Sequence, residues 1–334
     1  MAFYLTSNIT INGEPNIKPN KVVWRTDVGS FVDTCIITLP RITYLENDTK
    51  KTQDLDLNKK DQKNSFYRFK EGDKVEVFLG YNKKNERRFT GFIRGVKLGI
   101  PVELECEGYA YQLYGVIFNK TYSVVTVKNL LRDLTEGTDI KLSPEIPEIP
   151  LKNIRFKNAT GIQVLEYLKK EIQLAVYFNF DELYVGTTFG KVQKRINLRI
   201  GWNTIKDDDF QKKQIDKNLK IVFKEKNDKG EVKKTKSDLQ KYDNEKEVRI
   251  KSGIPANFLK EIVNRLQTQQ NYTGYEGSVQ LFLIPYANKG MSVLIDGGIF
   301  KEKSGLYFID SVSGEFGMNG GRQTIKLGFI MNNN

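Results

Sequence analysis

Short segments in which apolar and polar residues alternate recur towards both ends of this 334-residue chain, and tight turns join them. Near the start they are Phe31–Pro40, Lys74–Gly80, Arg88–Lys97 and Val102–Glu107. A period of two is typical of strands with one buried face. No helical pattern separates these strands, so residues 1–108 are predicted to form an antiparallel barrel or sandwich. A polar stretch at 44–66 interrupts them as an insertion.

The middle of the chain changes to a helical period. Apolar residues recur at this spacing after Thr126, which is placed to cap a helix, and Gly137 follows its end. Thr160 and Gln163 match a capping box ahead of a second helix. The segments Ala175–Phe178 and Glu182–Val185 are predicted as paired strands. Residues 109–190 are therefore predicted to form a small α/β module with two helix-bearing halves.

From residue 191 the alternating pattern returns. We predict a second β domain over 191–334, with a charged hairpin within 207–248 and one helix at 255–267. Strands are predicted at Ser278–Ile284, Ser292–Ile295, Leu306–Val312 and Gln323–Gly328. Overall the chain is predicted to be mainly β with an α+β insertion.

The two β regions share one internal pattern, which indicates a duplication. In the first, a strand begins at Gly72, a second ends at Val96, and Val102–Glu105 closes the unit. In the second, a strand begins at Gly290, another ends at Val312, and the closing strand is Thr324–Leu327. Both begin with a turn glycine, where a Cβ is disfavoured.

The chain contains no histidine, which removes Ser-His-Asp and Cys-His arrangements and helix-borne histidine zinc sites. Two cysteines, Cys35 and Cys106, are too few for a four-thiolate zinc site, and we expect both to be buried free thiols. The glycine-rich stretch Gly314–Gly321 lies between strands, so it is predicted to be a long, flexible hairpin tip and not a phosphate loop. No catalytic residue, cofactor or metal ligand is predicted.

Two groups of carboxylates are candidates for a site. Asp207, Asp208 and Asp209 are adjacent, and adjacent aspartates do not converge on one ion without a special turn. The alternating glutamates form an acidic strand face that is expected to meet solvent or a partner; they are Glu103, Glu105 and Glu107. Neither pattern singles out an enzymatic pair.

The formal net charge of +12 does not by itself indicate nucleic-acid binding. Lysines are interleaved with acids, as at Lys206–Asp209, whereas tracking of phosphates needs a stripe of one sign. No apolar run is long enough to span a bilayer, and the opening residues lack the pattern of a signal peptide. We therefore expect the protein to be made and kept in a bacterial cytoplasm until assembly.

In their order along the chain, these stretches resemble the phage tail hub family. This family comprises the late-control D-type and baseplate hub proteins, and the same domains open the spike protein of type VI secretion. The stretches that carry the resemblance are Phe31–Arg41, Phe69–Tyr81, Arg88–Leu113, Tyr275–Ile295 and Gly305–Gly328.

The resemblance implies two tube-type antiparallel β-barrels flanking the α/β module, assembled as a homotrimer at the tip of a virion tail. Such a ring adapts a sixfold tail tube to a threefold spike and leaves a central channel for passive contact with DNA or a tape-measure protein. The implied partners are the tube protein, a separate spike or needle protein, and other baseplate proteins. The insertion at 44–66 and the charged region at 207–248 are candidates for these contacts.

Two alternatives stay open. A distal tail or tube-adaptor protein uses the same barrel with a different stoichiometry, and a hexamer would favour it. A carbohydrate-binding or carbohydrate-cleaving module at the tail tip would use exposed aromatics such as Tyr109, Tyr111 and Tyr114. Alternating tyrosines more often pack against a barrel wall. The expected role is structural and not enzymatic.

Overall fold

The computed structural model describes residues 4–40, 69–190, 194–207, 209–213, 218–226, 232–251 and 253–331. The predicted insertion at 44–66 therefore lies outside the described residues.

The first β domain is an antiparallel sheet whose strands follow the order β1-β4-β5-β6-β3-β2. Its buried side chains come from the apolar phase of each strand, as at Val75 and Val77 on β4. The strands are β1 (Leu5–Ile11), β2 (Lys21–Asp27), β3 (Thr34–Leu39), β4 (Lys74–Tyr81), β5 (Lys84–Lys97) and β6 (Val102–Glu107).

The middle module follows a short 3-10 helix, Tyr109–Tyr114. Strands β7 and β9 pair antiparallel, and β10, β11 and β8 form a small mixed sheet. Helices α1 and α2 pack on these strands. The elements are β7 (Ile117–Thr126), α1 (Val127–Thr135), β8 (Lys141–Leu142), β9 (Pro150–Thr160), α2 (Gly161–Lys170), β10 (Ala175–Asn179) and β11 (Glu182–Gly186).

Both predicted helix caps are present. The Thr126 hydroxyl accepts a hydrogen bond from the Asn129 amide, 3.2 Å away. Thr160 and Gln163 form the reciprocal capping box, because the Thr160 hydroxyl accepts from the Gln163 amide and the Gln163 side-chain carbonyl accepts from the Thr160 amide. These bonds satisfy amides that have no partner inside the helix.

The second β domain has the strand order β18-β19-β20-β17-β13, with β12 parallel to β18. A separate three-stranded sheet, β15-β14-β16, precedes helix α3. The elements are β12 (Arg195–Arg199), β13 (Gln211–Lys212), β14 (Leu219–Lys226), β15 (Val232–Lys236), β16 (Asn244–Lys251), α3 (Ala256–Asn271), β17 (Tyr275–Phe282), β18 (Ser292–Asp296), β19 (Gly305–Gly317) and β20 (Gly320–Ile330); Lys301–Lys303 form a 3-10 turn.

The charged hairpin and α3 bury their apolar side chains with the middle module. Phe223 on β14 and Ile262 on α3 belong to the same buried cluster as Leu165 on α2. The second β domain has its own cluster, which includes Leu281 and Ile309. The predicted domain limits at 108 and 190 stay a prediction. Buried side chains from 219–271 pack with the middle module and not with the core of the second β domain.

The fold class is confirmed: the chain is mainly β, with two antiparallel β domains and an α/β insertion. The two β domains are not separate sheets, because β2 also pairs with β19 and joins twelve of the strands in the described residues into one sheet. The prediction of a long flexible tip at Gly314–Gly321 was wrong. These residues belong to β19 and β20, and the turn between the two strands is Met318-Asn319.

Cys35 and Cys106 are buried free thiols, as predicted, and lie opposite each other on β3 and β6. Burial raises the pKa of both thiols. Within the described ranges, no helix combines the length and the apolar content that crossing a membrane requires.

A candidate functional surface where two repeated domains join

The junction between the two β domains is an antiparallel strand pair. Asp27 on β2 lies opposite Ser311 on β19, and the pairing continues to Lys21 opposite Gly317. Beyond the end of β2, the Val28 amide donates to the Asp310 carbonyl at 2.9 Å. The edge of the first domain is therefore covered by the second, which removes an exposed strand edge.

Trp24 and Gly314 explain why glycine occurs in the middle of β19. Trp24 is buried beneath the junction, and a Cβ added to Gly314 would lie 2.1 Å from the indole ring. Only glycine leaves room for this close approach. In the sequence the glycine itself was the signal. It was interpreted as part of a flexible tip, because the sequence does not show that the Trp24 ring packs against it.

Arg88 of the first domain makes buried hydrogen bonds to the second domain. It is 3% exposed, and its guanidinium donates to the Gln323 side-chain oxygen at 3.0 Å and to the Leu283 carbonyl at 2.6 Å. Gln323 in turn donates to the carbonyls of Phe282 and Pro285. Burial lowers the pKa of Arg88 to about 10. Because a buried cation needs partners, these bonds fix the relative position of the two domains.

A second buried polar contact crosses the same junction. Lys289 Nζ donates to Asp33 Oδ1 at 2.5 Å, and both side chains are almost completely buried. Burial raises the pKa of Asp33, and the Lys289 ammonium opposes that shift. No pattern in the sequence indicated this contact, because Lys289 lies in a polar turn of a kind that is usually solvated.

The outward face of the joined sheet, which we call the open face, carries short polar side chains and charges of both signs. Two ion pairs cross strands on this face, since Lys21 Nζ lies 3.0 Å from Glu315 Oε1 and Lys97 Nζ lies 2.5 Å from Glu105 Oε1. Arg25, Arg322 and Lys326 add further positive charge to it. The strand register and the exposure of these side chains define the face as Lys21, Val23, Arg25, Thr34, Ile36, Thr38, Lys97, Glu103, Glu105, Ser278, Gln280, Phe282, Ser313, Glu315, Arg322, Thr324 and Lys326.

The predicted duplication is visible in the backbone. The Gly72 amide donates to the Ile93 carbonyl at 2.8 Å, and the Ile93 amide donates back to the Asp73 carbonyl at 2.9 Å. In the second domain the Gly290 amide donates to the Ile309 carbonyl, and the Ile309 amide donates to the Met291 carbonyl, both at 2.9 Å.

A β-bulge follows at the same place in each domain. It lies between Ile93 and Gly95 where β5 pairs with β6, and between Ile309 and Ser311 where β19 pairs with β20. Bulges are specific local features of a fold, so their coincidence supports equivalence of the two units.

The carboxylates that the sequence singled out do not form a common site. Asp207 accepts from Lys303 at 2.8 Å and Asp209 accepts from Ser278 at 3.2 Å, while Asp208 lies outside the described residues. In the described part of the chain, no three His, Cys, Asp or Glu side chains are grouped to hold a metal.

Of the acidic strand face, Glu107 departs from expectation. It is buried and accepts from Arg94 at 2.6 Å instead of meeting solvent.

The three tyrosines lie on the 3-10 helix and not on a strand. Tyr109 is buried with its ring edge against Phe92, and Tyr111 stacks on the same ring. Tyr114 is 42% exposed. A stacking platform made of all three rings is therefore not available to a sugar.

An open groove of about 720 Å³ lies beside β13, α3 and β20, and its lining includes Lys213, Tyr272, Glu276, Asp310 and Lys326. Burial raises the pKa of Asp310 to about 6, and the nearby Asp27 carboxylate adds to the shift. Its Oδ1 has no hydrogen-bond partner among the described residues.

No family model matches the sequence, and no curated protein matches it either. Solved structures do match, over nearly the whole chain. The tail protein from Neisseria meningitidis MC58 superposes with a TM-score of 0.66 at 12% identity, covering 97% of this chain and 96% of that one. The 43 kDa tail protein of prophage MuSo2 from Shewanella oneidensis gives 0.62 at 13% identity, covering 96% and 97%.

A third similar structure is the c3393 protein of E. coli, a component of the type VI secretion system with structural similarity to the T4 bacteriophage tail proteins gp27 and gp5. Its TM-score is 0.57 at 10% identity, covering 97% of this chain and 77% of that one. The resemblance inferred from the sequence is thereby confirmed at the level of fold. This chain has the fold of phage and prophage tail proteins and of a type VI secretion component.

Proposed function

We propose that the protein is a structural hub at the tip of a phage or phage-derived tail. Three copies form a ring of six similar β domains around a central channel, between a sixfold tail tube and a threefold spike. The observation that carries this proposal is that the chain contains two equivalent β domains fused edge to edge in one sheet. The shared fold with tail proteins supports the same role.

A ring follows from this arrangement by symmetry. An interface that relates one β domain to the next by a rotation closes when the rotations complete a circle. Within the chain, that relation is already present once, between the first domain and the second. Three chains would repeat it around the axis and present six similar domains to the tube, while the modules repeat only three times.

The open face is suited to line the channel. A channel that passes a long polymer must not bind it tightly, and the positive charges here are interspersed with acidic side chains, as in the pair Lys21–Glu315. Between the charges lie hydroxyl side chains such as Thr34, Ser313 and Thr324. A wall of this kind lacks the one-signed stripe that binds nucleic acid tightly.

The proposed partners are the tail tube protein, a separate spike or needle protein and other baseplate proteins, and the proposed location is the virion tail, assembled in the host cytoplasm. The contacts would be made by the rims of the ring. A structural and not catalytic role agrees with the separate, solitary contacts of Asp207 and Asp209.

The test is the assembly state of the purified chain. We expect light scattering to give the mass of three chains, and negative-stain images of the same fraction to show a threefold ring with six lobes and an open centre. A sixfold ring would instead favour assignment of the protein as a tail tube or tube-adaptor component. A chain that stays monomeric with tube and spike proteins present would overturn the hub proposal, and glycan binding lost in Tyr114→Ala would then favour the carbohydrate alternative.

A further inference from the structure

We propose that a pocket between helix α3 and the second β domain binds the carboxylate end of a peptide whose last residue is apolar. The carboxylate contacts the Arg265 guanidinium, and the apolar side chain packs on a stack of three phenylalanine rings. This inference goes beyond the hub role and does not depend on it.

The pocket has a volume of about 410 Å³ and lies where three parts of the fold meet. Its walls come from the segment after β11, from α3, and from the start of β19 and the end of β20; they include Phe189, Arg265, Phe308, Phe329 and Met331. Pockets that take small ligands have volumes of about 300–1,000 Å³ and occur preferentially where domains meet. A cavity of this size accommodates one amino-acid residue and not a broad protein interface.

Arg265 is the cation of this pocket, and its hydrogen bonding is incomplete. Nη2 donates to the Gln173 carbonyl. Nε and Nη1 are buried and have no hydrogen-bond partner among the described residues. A guanidinium carries one N–H on Nε and two on Nη1, so these three donors lack an acceptor. Because buried polar groups are normally hydrogen-bonded, the pocket calls for an acceptor from another molecule.

A carboxylate is the acceptor that suits this cation. Burial lowers the pKa of Arg265 to about 10, so the guanidinium stays charged at neutral pH although it has lost most of its solvation. Hydrogen bonds between a guanidinium and a carboxylate are roughly twice as strong as those between neutral groups. Glu261, one helical turn earlier on α3, does not reach the two unpartnered nitrogens; its Oε2 accepts from the Thr187 hydroxyl at 2.6 Å.

The wall beside Arg265 is aromatic. The ring centroids of Phe189 and Phe308 are 5.2 Å apart, those of Phe308 and Phe329 are 5.3 Å apart, and both pairs are stacked. The Arg265 Cζ lies 5.5 Å from the centroid of the Phe189 ring, so the cation and the apolar surface adjoin. A ligand that joins an anionic group to an apolar side chain therefore contacts both at once.

The last residue of a peptide joins these two groups at one carbon atom. It also brings the N–H of the preceding peptide bond. Glu261 lines the exposed side of the pocket, where its carboxylate can accept that N–H. Capture of a C-terminal carboxylate is a recurrent mode of peptide recognition. A simple aromatic acid has the carboxylate and the ring but lacks the N–H, so the two kinds of ligand can be distinguished.

The test is the binding of N-acetyl-L-phenylalanine to the full chain, measured by isothermal titration calorimetry. We expect its amide, N-acetyl-L-phenylalaninamide, to bind at least tenfold more weakly, because it lacks the carboxylate. Hydrocinnamate, which lacks the peptide group, should also bind more weakly. Equal affinities of the acid and the amide would overturn the role of Arg265, and equal affinities of the acid and hydrocinnamate would overturn the peptide assignment. An acid that does not bind at millimolar concentrations would overturn the site itself.

A further probe separates a terminal carboxylate from an internal acidic side chain. N-acetyl-L-aspartyl-L-phenylalaninamide carries its acid within the chain and should bind no better than the simple amide. Binding as tight as that of N-acetyl-L-phenylalanine would overturn the assignment to a peptide end.

Three variants locate the binding. Arg265→Gln should abolish the preference for the acid over the amide. Thr268→Trp changes an exposed residue at the edge of the pocket, so it should block binding while the thermal midpoint stays that of the parent. Lys260→Gln is the control, because this cation on the same helix lies outside the pocket, with its Nζ 2.6 Å from Asp238 Oδ1; its affinity should match the parent. Undiminished binding by Thr268→Trp, or equal losses in Lys260→Gln and Arg265→Gln, would show that the ligand binds elsewhere.

Discussion

The Lys289 ammonium lies 2.5 Å from Asp33 Oδ1, with the lysine in the second β domain and the aspartate in the first, and water reaches almost none of either side chain. This pair and Arg88 are buried charged groups at the junction of the two domains. Buried groups of this kind contribute most when all their partners are in place.

Removing only the Lys289 ammonium should therefore lower the free energy of unfolding substantially. We expect Lys289→Met to lower the free energy of unfolding by about 3–5 kcal/mol, because it leaves the Asp33 carboxylate buried without its partner. Urea titration at neutral pH measures the change. Lys289→Met combined with Asp33→Asn should lose less than the single variant. Lys21→Met, which breaks the exposed Lys21–Glu315 pair across the same junction, should leave the midpoint almost unchanged. Equal losses in Lys289→Met and Lys21→Met would show that burial does not govern the contact.

The close approach of Trp24 to Gly314 predicts a steric effect. Gly314→Ala should destabilise the protein by about 1–3 kcal/mol, because the new methyl group would overlap the indole ring. The loss should shrink when Trp24→Leu is present, and a double-mutant cycle by chemical denaturation measures this coupling. Gly115→Ala is the matched control, since its nearest neighbouring atom lies 4.0 Å from the added Cβ. Additive effects at 24 and 314 would rule out the contact.

Asp310 should make stability depend on pH. Burial raises its pKa to about 6 in the folded protein, above the value of 3.8 expected for an ordinary aspartate. The folded state therefore binds the Asp310 proton more tightly than the unfolded state does. The proton contributes its full stabilisation of the fold below about pH 4, and this contribution is lost as the pH rises through about 6.

Asp310→Asn cannot take up this charge. A shift of about two pKa units corresponds to about 3 kcal/mol. The free energy of unfolding of the variant should therefore exceed that of the parent by up to this amount above pH 7, and the two should be equal below about pH 4. Unfolding at a series of pH values measures the difference. A gap between the two proteins that stays constant from pH 4 to pH 8 would contradict this assignment.

The capping box at α2 predicts a smaller, local effect. Thr160→Ala should lower the free energy of unfolding by about 1 kcal/mol, because the Gln163 amide loses its acceptor. Thr160→Ser keeps the hydroxyl and should retain most of the stability. Thermal or urea unfolding of the three proteins makes the comparison, and a serine variant as weak as the alanine variant would argue that the hydroxyl is not the cause.

Local patterns predicted the elements well. The alternating segment Lys74–Gly80 corresponds to strand β4. Thr126 and Thr160 cap the helices that their positions predicted. The duplication was also predicted, because its turn glycines and strand spacing are local features. These predictions succeed because a strand face, a cap or a turn depends on residues within a few positions of one another.

The sequence by itself determined the fold class, the order of the elements and the repetition of one β unit. Only the tertiary structure decided that β2 pairs with β19, that Trp24 lies over Gly314, and that Lys289 is buried against Asp33. An alternating pattern states which side chains face a core, but it does not state which strand lies beside an edge. That choice depends on residues separated by more than two hundred positions, which become neighbours only when the two domains pack together.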